Sequence, residues 1–122
     1  MKRTLMQIYV KGSVEAVEFY QRAFDAELGY NEKNPEGGYF HAELDVYGQI
    51  LAVSEDSTRT PGDAMQFCLH FDKDEKDKVA KAYSVLKNGV RKIDHPLGPC
   101  VFSPYMASLV DKFGVYWCIF TE

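Results

Sequence analysis

Apolar and polar residues alternate over two short stretches, Leu5 to Val10 and Met65 to Phe71, as they do in a strand with one buried face. Each stretch leads into a helical pattern. In the first, Ser13 stands where an N-cap would, and Val17, Tyr20 and Phe24 share one face of a helix over about residues 14–24. Glu15 and Glu18 favour the positive end of its dipole, and Gly29 is the stop signal. In the second, the run from Asp72 to Glu75 matches a capping box. Val79, Ala82, Tyr83 and Leu86 follow helical spacing, and Asn88-Gly89 ends the segment. Extended blocks of aromatic and β-branched residues follow each helix, separated by turn-forming clusters at 34–38, 57–63 and 95–99.

The order of elements is thus the same twice, and the residues themselves repeat. Laying the segment from Tyr39 to Leu51 on that from Tyr105 to Trp117 without a gap superposes a Tyr, an Asp and a Gly. Laying Gln7-Ile-Tyr-Val on Gln66-Phe-Cys-Leu aligns the opening strands. The sequence therefore predicts two βαβββ modules, an α+β arrangement, over about residues 1–58 and 63–122 of one domain. Alternation places Ile8, Val10, Phe67, Leu69 and Phe71 under the helices. It leaves Gln7, Tyr9, Lys11, Gln66, Cys68 and His70 on the opposite side. That side is polar for a sheet interior, and in curled, paired modules it would line a cleft able to hold a small molecule.

Composition narrows the function classes. The chain has 122 residues, enough for one domain with a real core and too few for two, and 46% of them are hydrophobic. Acidic residues outnumber basic ones, 18 to 14, with no basic block, so neither nucleic acid nor an anionic membrane is an expected partner. No apolar run approaches the length of a membrane span, and no signal segment is readable at the N-terminus. Cys68, Cys100 and Cys118 are odd in number and lack ligand-like spacing, which argues against a disulfide framework and for a reducing, cytoplasmic setting. The alternating charges over 72–77 are explained by helix capping and solvation alone.

Four segments carry a resemblance. The helix from Ala16 to Phe24 with Glu27, then His41-Ala-Glu-Leu44, the strand Ile50 to Asp56, and Leu109 to Trp117 together resemble the glyoxalase, bleomycin-resistance and extradiol-dioxygenase superfamily, the vicinal oxygen chelate proteins. The His-Ala-Glu-Leu and Asp-x-Phe-Gly-x-x-Trp pieces are most similar to its PhnB-like branch. The resemblance implies paired βαβββ modules around a cleft and, commonly, a homodimer. It also implies a divalent metal held by His or Gln from first strands and Glu from last strands. Those positions here are Gln7 and Gln66, with Leu5 in place of Gln7 if the helix is used as anchor, and Ala52 and Cys118. Two amides, a methyl and one thiol provide neither the charge for a divalent ion nor a general base, so no metal or other cofactor is expected.

The expected cleft residues are Gln7, Tyr9, Ala52, Gln66, Cys68, His70, Tyr105, Tyr116 and Cys118. Cys118 is either a nucleophile or a small core residue, and Cys68, His70 and Cys118 are a further candidate metal set by strand alternation. His41 and Glu43 share a strand face and are candidate acid and base, or an ordinary solvent-facing pair. Tyr9, Phe40, Tyr105, Met106, Tyr116 and Phe120 suit stacking on a planar ligand and equally suit sheet packing. The reading that follows is a metal-free small-molecule-binding protein. Its alternatives are a metal-dependent lyase, isomerase or dioxygenase using non-standard ligands such as His41, Glu43 or His70, and a dimeric interaction module with a vestigial cleft.

Overall fold

A computed structural model describes residues 1–122, and the chain divides into two compact units, Met1–Thr60 and Pro61–Glu122. Unit 1 runs β1 (Met6–Val10), α1 (Ser13–Phe24), β2 (Glu27–Lys33), β3 (Tyr39–Val46) and β4 (Gln49–Glu55). Unit 2 repeats the order with β5 (Phe67–Phe71), α2 (Lys76–Leu86), β6 (Lys92–Gly98), β7 (Met106–Val110) and β8 (Tyr116–Thr121). The sheets have corresponding orders, β1-β4-β3-β2 and β5-β8-β7-β6, with the first pair of each parallel and the rest antiparallel. The α+β class and the doubled βαβββ order expected from the sequence are both present.

Helix α1 buries Ala16, Val17, Phe19, Tyr20, Ala23 and Phe24, a wider stripe than the three residues read from spacing. They share the core of unit 1 with Ile8, Val10, Ala42, Leu44, Leu51 and Val53, all at most 7% exposed. Helix α2 buries Val79, Ala82 and Leu86, while Tyr83 is half-buried. Trp117 and Leu109, fully buried, lie on the covered side of the second sheet, with Phe67 edge-on to the Trp117 ring at 5.4 Å. Burial of these apolar surfaces is the dominant stabilising term in each unit.

The start of α1 departs from expectation. Ser13 is not its cap; Gly12, at φ 85°, occupies that position with no side-chain cap bond. The Ser13 hydroxyl instead donates to Glu55 and accepts the Tyr39 N–H, both at 2.8 Å. Glu55, at the end of β4, also accepts the backbone N–H groups of Gly12 and Ser13 at 2.9 and 2.8 Å. A carboxylate from a distant strand thus satisfies the helix N-terminus that a local side chain was expected to cap. Burial alone would raise the Glu55 pKa, but the bonds from Ser13 and Gly12 outweigh it and hold the group below its ordinary value. Glu55→Ala is expected to destabilise the fold by about 1–2 kcal/mol at neutral pH. Urea unfolding checks this, and an unchanged midpoint would mean that solvent replaces the carboxylate at no cost. The helix ends at Phe24, as its spacing indicates, but the left-handed stop is made by Asp25, at φ 49°, and not by Gly29. Before α2 the Asp72 N–H donates to Glu75 Oε1 at 3.0 Å, but the expected capping box lies one turn ahead of the helix: the N-cap is Glu75, not Asp72, and it has no side-chain cap bond.

The hairpin turns explain the Asp and Gly that coincide in the repeat. Between β3 and β4, Val46 pairs with Gln49, and Tyr47 and Gly48, at φ 52° and 90°, form the two-residue turn. Asp45 accepts the Gly48 N–H. Between β7 and β8 the turn is one residue longer: the Asp111 N–H bonds Val115 O, the Gly114 N–H bonds Asp111 O, and Gly114 lies at φ 88°. The gap-free alignment of these hairpins therefore slips by one residue across the turn. Asp111, fully buried, accepts from the Phe113 and Val115 N–H groups and from the Trp117 indole at 2.9 Å. The Asp-x-Phe-Gly-x-x-Trp piece is a fold device.

Candidate functional site

The strand registers decide which residues share the sheet face turned away from each helix. In unit 1, Gln7 pairs with Ala52, and Ala52 with Glu43; Tyr9 pairs with Ser54, and alternation brings His41 to the same side. In unit 2, Cys68 pairs with Cys118, and Cys118 with Ser108; His70 pairs with Phe120, and Phe120 with Met106. Because Ala52 and Cys118 correspond in the repeat, the counterpart of Gln7 is Cys68 and not Gln66. Gln66 precedes β5, at the position of Leu5 in unit 1. The opening-strand alignment on the two glutamines is corrected by two residues, and a local sequence match could not reveal this because register is set by the partner strand.

Unit 1 holds a polar cluster centred on Glu43. Arg3 grips the carboxylate with both terminal nitrogens, Nη1 to Oε1 at 3.0 Å and Nη2 to Oε2 at 2.9 Å. His41 Nε2 lies 2.8 Å from the same Oε2. The Glu43 side chain is 10% exposed, so the pair is no solvent-facing decoration. Hydrogen bonds from Arg3 and then His41 hold its pKa at about 2, against the opposing effect of burial. The Tyr30 ring lies 5.9 Å from the His41 ring, and its hydroxyl donates to Glu32. Beside them, the Gln7 amide donates to Ser54 Oγ at 3.1 Å and to Ile8 O at 2.9 Å. Tyr9 is 44% exposed, but the Arg59 guanidinium, anchored on Asp56 at 3.0 Å, lies 4.2 Å from its ring centre.

In unit 2 the Gln66 amide donates to Ser108 Oγ at 3.1 Å. Ser108 in turn bonds Tyr116, Tyr116 bonds Asp94, and Lys92 Nζ reaches Asp94 at 3.2 Å. Since Ser108 already accepts from Gln66, its proton is free for Tyr116, and the donors run in one direction toward Asp94. The bonds from Tyr116 and then Lys92 lower the Asp94 pKa, and the bond to Asp94 raises that of Tyr116. Farther along the face, His70 stacks on Phe120 at 4.5 Å, and Phe102 meets Phe120 edge-on at 5.2 Å.

Other candidates fall differently. Tyr105 does not join the face of Cys118; it immediately precedes β7, with Lys76 of α2 5.6 Å from its ring. Phe40 is 61% exposed and unpaired at an irregularity of the β2–β3 ladder, where Glu32 pairs with His41 and Lys33 with Tyr39. Burial first, then Cys68 and Cys100, push the Cys118 thiol up to about 12, which keeps it protonated and removes it as a ready nucleophile. Cys68, His70 and Cys118 do not form a ligand cluster; the only three such groups within 4.8 Å of one another are Asp72, Asp74 and Glu75 at the entry to α2. Gln7, Ala52, Cys68, Gln66 and Cys118 provide amides, a methyl and thiols. This donor set does not fit the hard divalent ion that the family pattern implies.

Arg3, Ser54, Ser108 and Asp94 were not legible as site residues. Alternation from Ala52 would have found Ser54, two residues on. Arg3 precedes every periodic element, so no pattern points to it.

The family model described as Glyoxalase/Bleomycin resistance protein/Dioxygenase superfamily matches residues 4–119, and the chain belongs to that superfamily. A comparison with curated proteins finds no match. Among solved structures, the chain is similar to the PhnB protein from Bacillus cereus, at 23% identity and TM-score 0.82, covering 99% of this chain and all of that one. It is also similar to protein PA1353 from Pseudomonas aeruginosa, at 21% identity and TM-score 0.79, covering 100% of this chain and 98% of that one. The fosfomycin resistance protein FosX from Listeria monocytogenes, solved with Mn(II) and sulfate, is 15% identical with TM-score 0.71, covering 98% and 91%. At these identities the likeness is one of fold.

Proposed function

We propose that this chain is a small-molecule-binding member of the superfamily that takes an organic ligand without a divalent metal, using the sheet faces turned away from the helices, with Gln7, Ser54, His41 and Glu43 in unit 1 and Gln66, Cys68, Ser108 and Tyr116 in unit 2. The observation that carries this reading is the state of Glu43. It is the one carboxylate set among these unit 1 side chains, and Arg3 already neutralises it through two hydrogen bonds. A divalent cation would have to displace a guanidinium held in fork geometry, for which water is a poor substitute. Asp94 in unit 2 is likewise paired, with Lys92. FosX, by contrast, was solved with Mn(II).

No helix is long and apolar enough to cross a membrane. A cytoplasmic setting and a homodimer belong to the same proposal; the dimer is supported by the edge strands β1, β2, β5 and β6, which leave ladder groups to be covered. The test is a thermal melt of chelator-stripped protein, alone and with Mn(II), Fe(II), Co(II), Ni(II) or Zn(II). We expect no shift with any of them. A saturable rise of several degrees with one ion, the size expected at about a hundred times its dissociation constant, would overturn the metal-free reading. The outcome would then favour the enzymatic alternative, for which the short His41 to Glu43 contact already offers an oriented imidazole.

A further inference from the structure

Parallel strands place directly paired residues on the same side, and β5 and β8 pair Cys68 with Cys118. The spacing of neighbouring strands, about 4.7–4.9 Å, lies within the roughly 4.4–6.8 Å that a disulfide requires between its Cα atoms. The two thiols differ in access. Cys68 is exposed, its S–H donating to Gln66 Oε1 at 3.6 Å, whereas Cys118 is only 6% exposed. Cys100 lies outside the ladder, in the segment before β7, and is half-buried. Strand β5 is at the edge of its sheet, with β8 as its only ladder partner, so a small shift toward β8 strains no second ladder.

We propose that Cys68 and Cys118 are a dithiol oxidation site, closing to a disulfide between β5 and β8 when the protein meets hydrogen peroxide. The proposal does not depend on the ligand reading above. In the first step the Cys68 sulfur attacks one peroxide oxygen, the O–O bond breaks, and the thiol becomes a sulfenic acid with release of water. In the second, the Cys118 sulfur attacks the Cys68 sulfur, the S–O bond breaks, and the departing hydroxyl takes the Cys118 proton as a second water. Two thiols are oxidised and one peroxide is reduced. Burial slows the second step by keeping Cys118 protonated, but pairing in the ladder holds its sulfur beside the sulfenic acid, where proximity compensates. A thiol reductant reverses the bond. Cβ atoms at strand spacing are somewhat wider apart than in a relaxed disulfide, and strain of this kind makes the bridge easier to reduce.

The test is hydrogen peroxide treatment of the full chain followed by alkylation in denaturant, intact mass and peptide mapping. We expect a mass lower by about 2 Da before alkylation, a 68–118 linked peptide, alkylation confined to Cys100, and full reversal by dithiothreitol. Cys100→Ser should leave the bridge intact. Cys68→Ser, a change at an exposed position that spares the fold, should abolish it and leave Cys118 reduced, with circular dichroism confirming the native sheet. The proposal is overturned by a bridge through Cys100, by a disulfide between chains, or by oxidation that stops at a sulfinic acid on Cys68.

Discussion

Replacing Asp111 by alanine is expected to cost about 3–5 kcal/mol of stability, the largest single loss among the polar residues, because three donors lose one acceptor at once. The Phe113 and Val115 N–H groups bond its Oδ1 and the Trp117 indole its Oδ2, and Asp111 and Trp117 are fully buried. An indole N–H left unpaired in that position pays its desolvation without return. Asp45 sits three residues before its own turn glycine and is exposed, bonding the Gly48 N–H, so Asp45→Ala should cost no more than about 1 kcal/mol. Urea unfolding of both variants measures the difference. If Asp111→Ala does not fold, Asp111→Asn, which keeps the Oδ1 acceptor and loses the one facing the indole, should still fold with an intermediate loss. Equal effects of the alanine variants at 45 and 111 would show that the buried indole bond contributes nothing.

The second large effect is pH-dependent and lies at Arg3. Its guanidinium, with the Arg3 side chain 51% exposed, holds the Glu43 pKa at about 2 rather than 4.5. A carboxyl whose folded pKa lies below its unfolded one adds stability that is fully present above the unfolded value and disappears as pH falls through the folded value. Glu43 therefore stabilises the protein at neutral pH and loses that contribution between about pH 4.5 and pH 2. Arg3→Met removes the main cause of the shift and leaves the carboxylate with His41 alone. At pH 7 the variant is expected to unfold at a lower urea midpoint, by less than the loss of a buried pair would cause, because solvent screens the exposed half of Arg3. Unfolding midpoints of the two proteins should draw together below about pH 4.5 and converge only at about pH 2 and below, where Glu43 becomes protonated in both. A gap that stays constant with pH would assign the loss to packing of the Arg3 stem instead.

Both effects illustrate what was legible and what was not. Asp111, Gly114 and Trp117 stood out in sequence as a motif, yet their spacing alone did not reveal that the aspartate binds the indole. Glu43 and His41 were readable as neighbours on one strand face, because alternation is local. Arg3, which sets the chemistry of that pair, is 40 residues away along the chain and belongs to no repeat or periodic element. Ser13 looks like a helix cap by type and place, but Glu55 outcompetes it by bringing a full negative charge to the same N–H groups from the end of β4. The two glutamines made an attractive alignment of the opening strands. The ladders instead match Gln7 with Cys68, and with that correction the paired thiols of unit 2 come into view.

The sequence by itself determined the order of the elements, their doubling, the buried faces of both helices, the turns at 34–38 and 57–63 and membership of the superfamily, whereas His95 to Gly98, which read as a turn cluster, lie in β6. The helices and turns rest on patterns within about a dozen neighbouring residues, where backbone geometry translates spacing directly into direction, and the doubling and the family likeness come from comparing such local patterns along the chain. Only the tertiary structure decided the strand registers, the carboxylate that closes the start of α1, the cation that occupies Glu43, and the pairing of Cys68 with Cys118. Each depends on which distant backbone lies alongside. That choice is made by the packing of the whole unit, and shifting a strand by one residue sends every side chain to the other face.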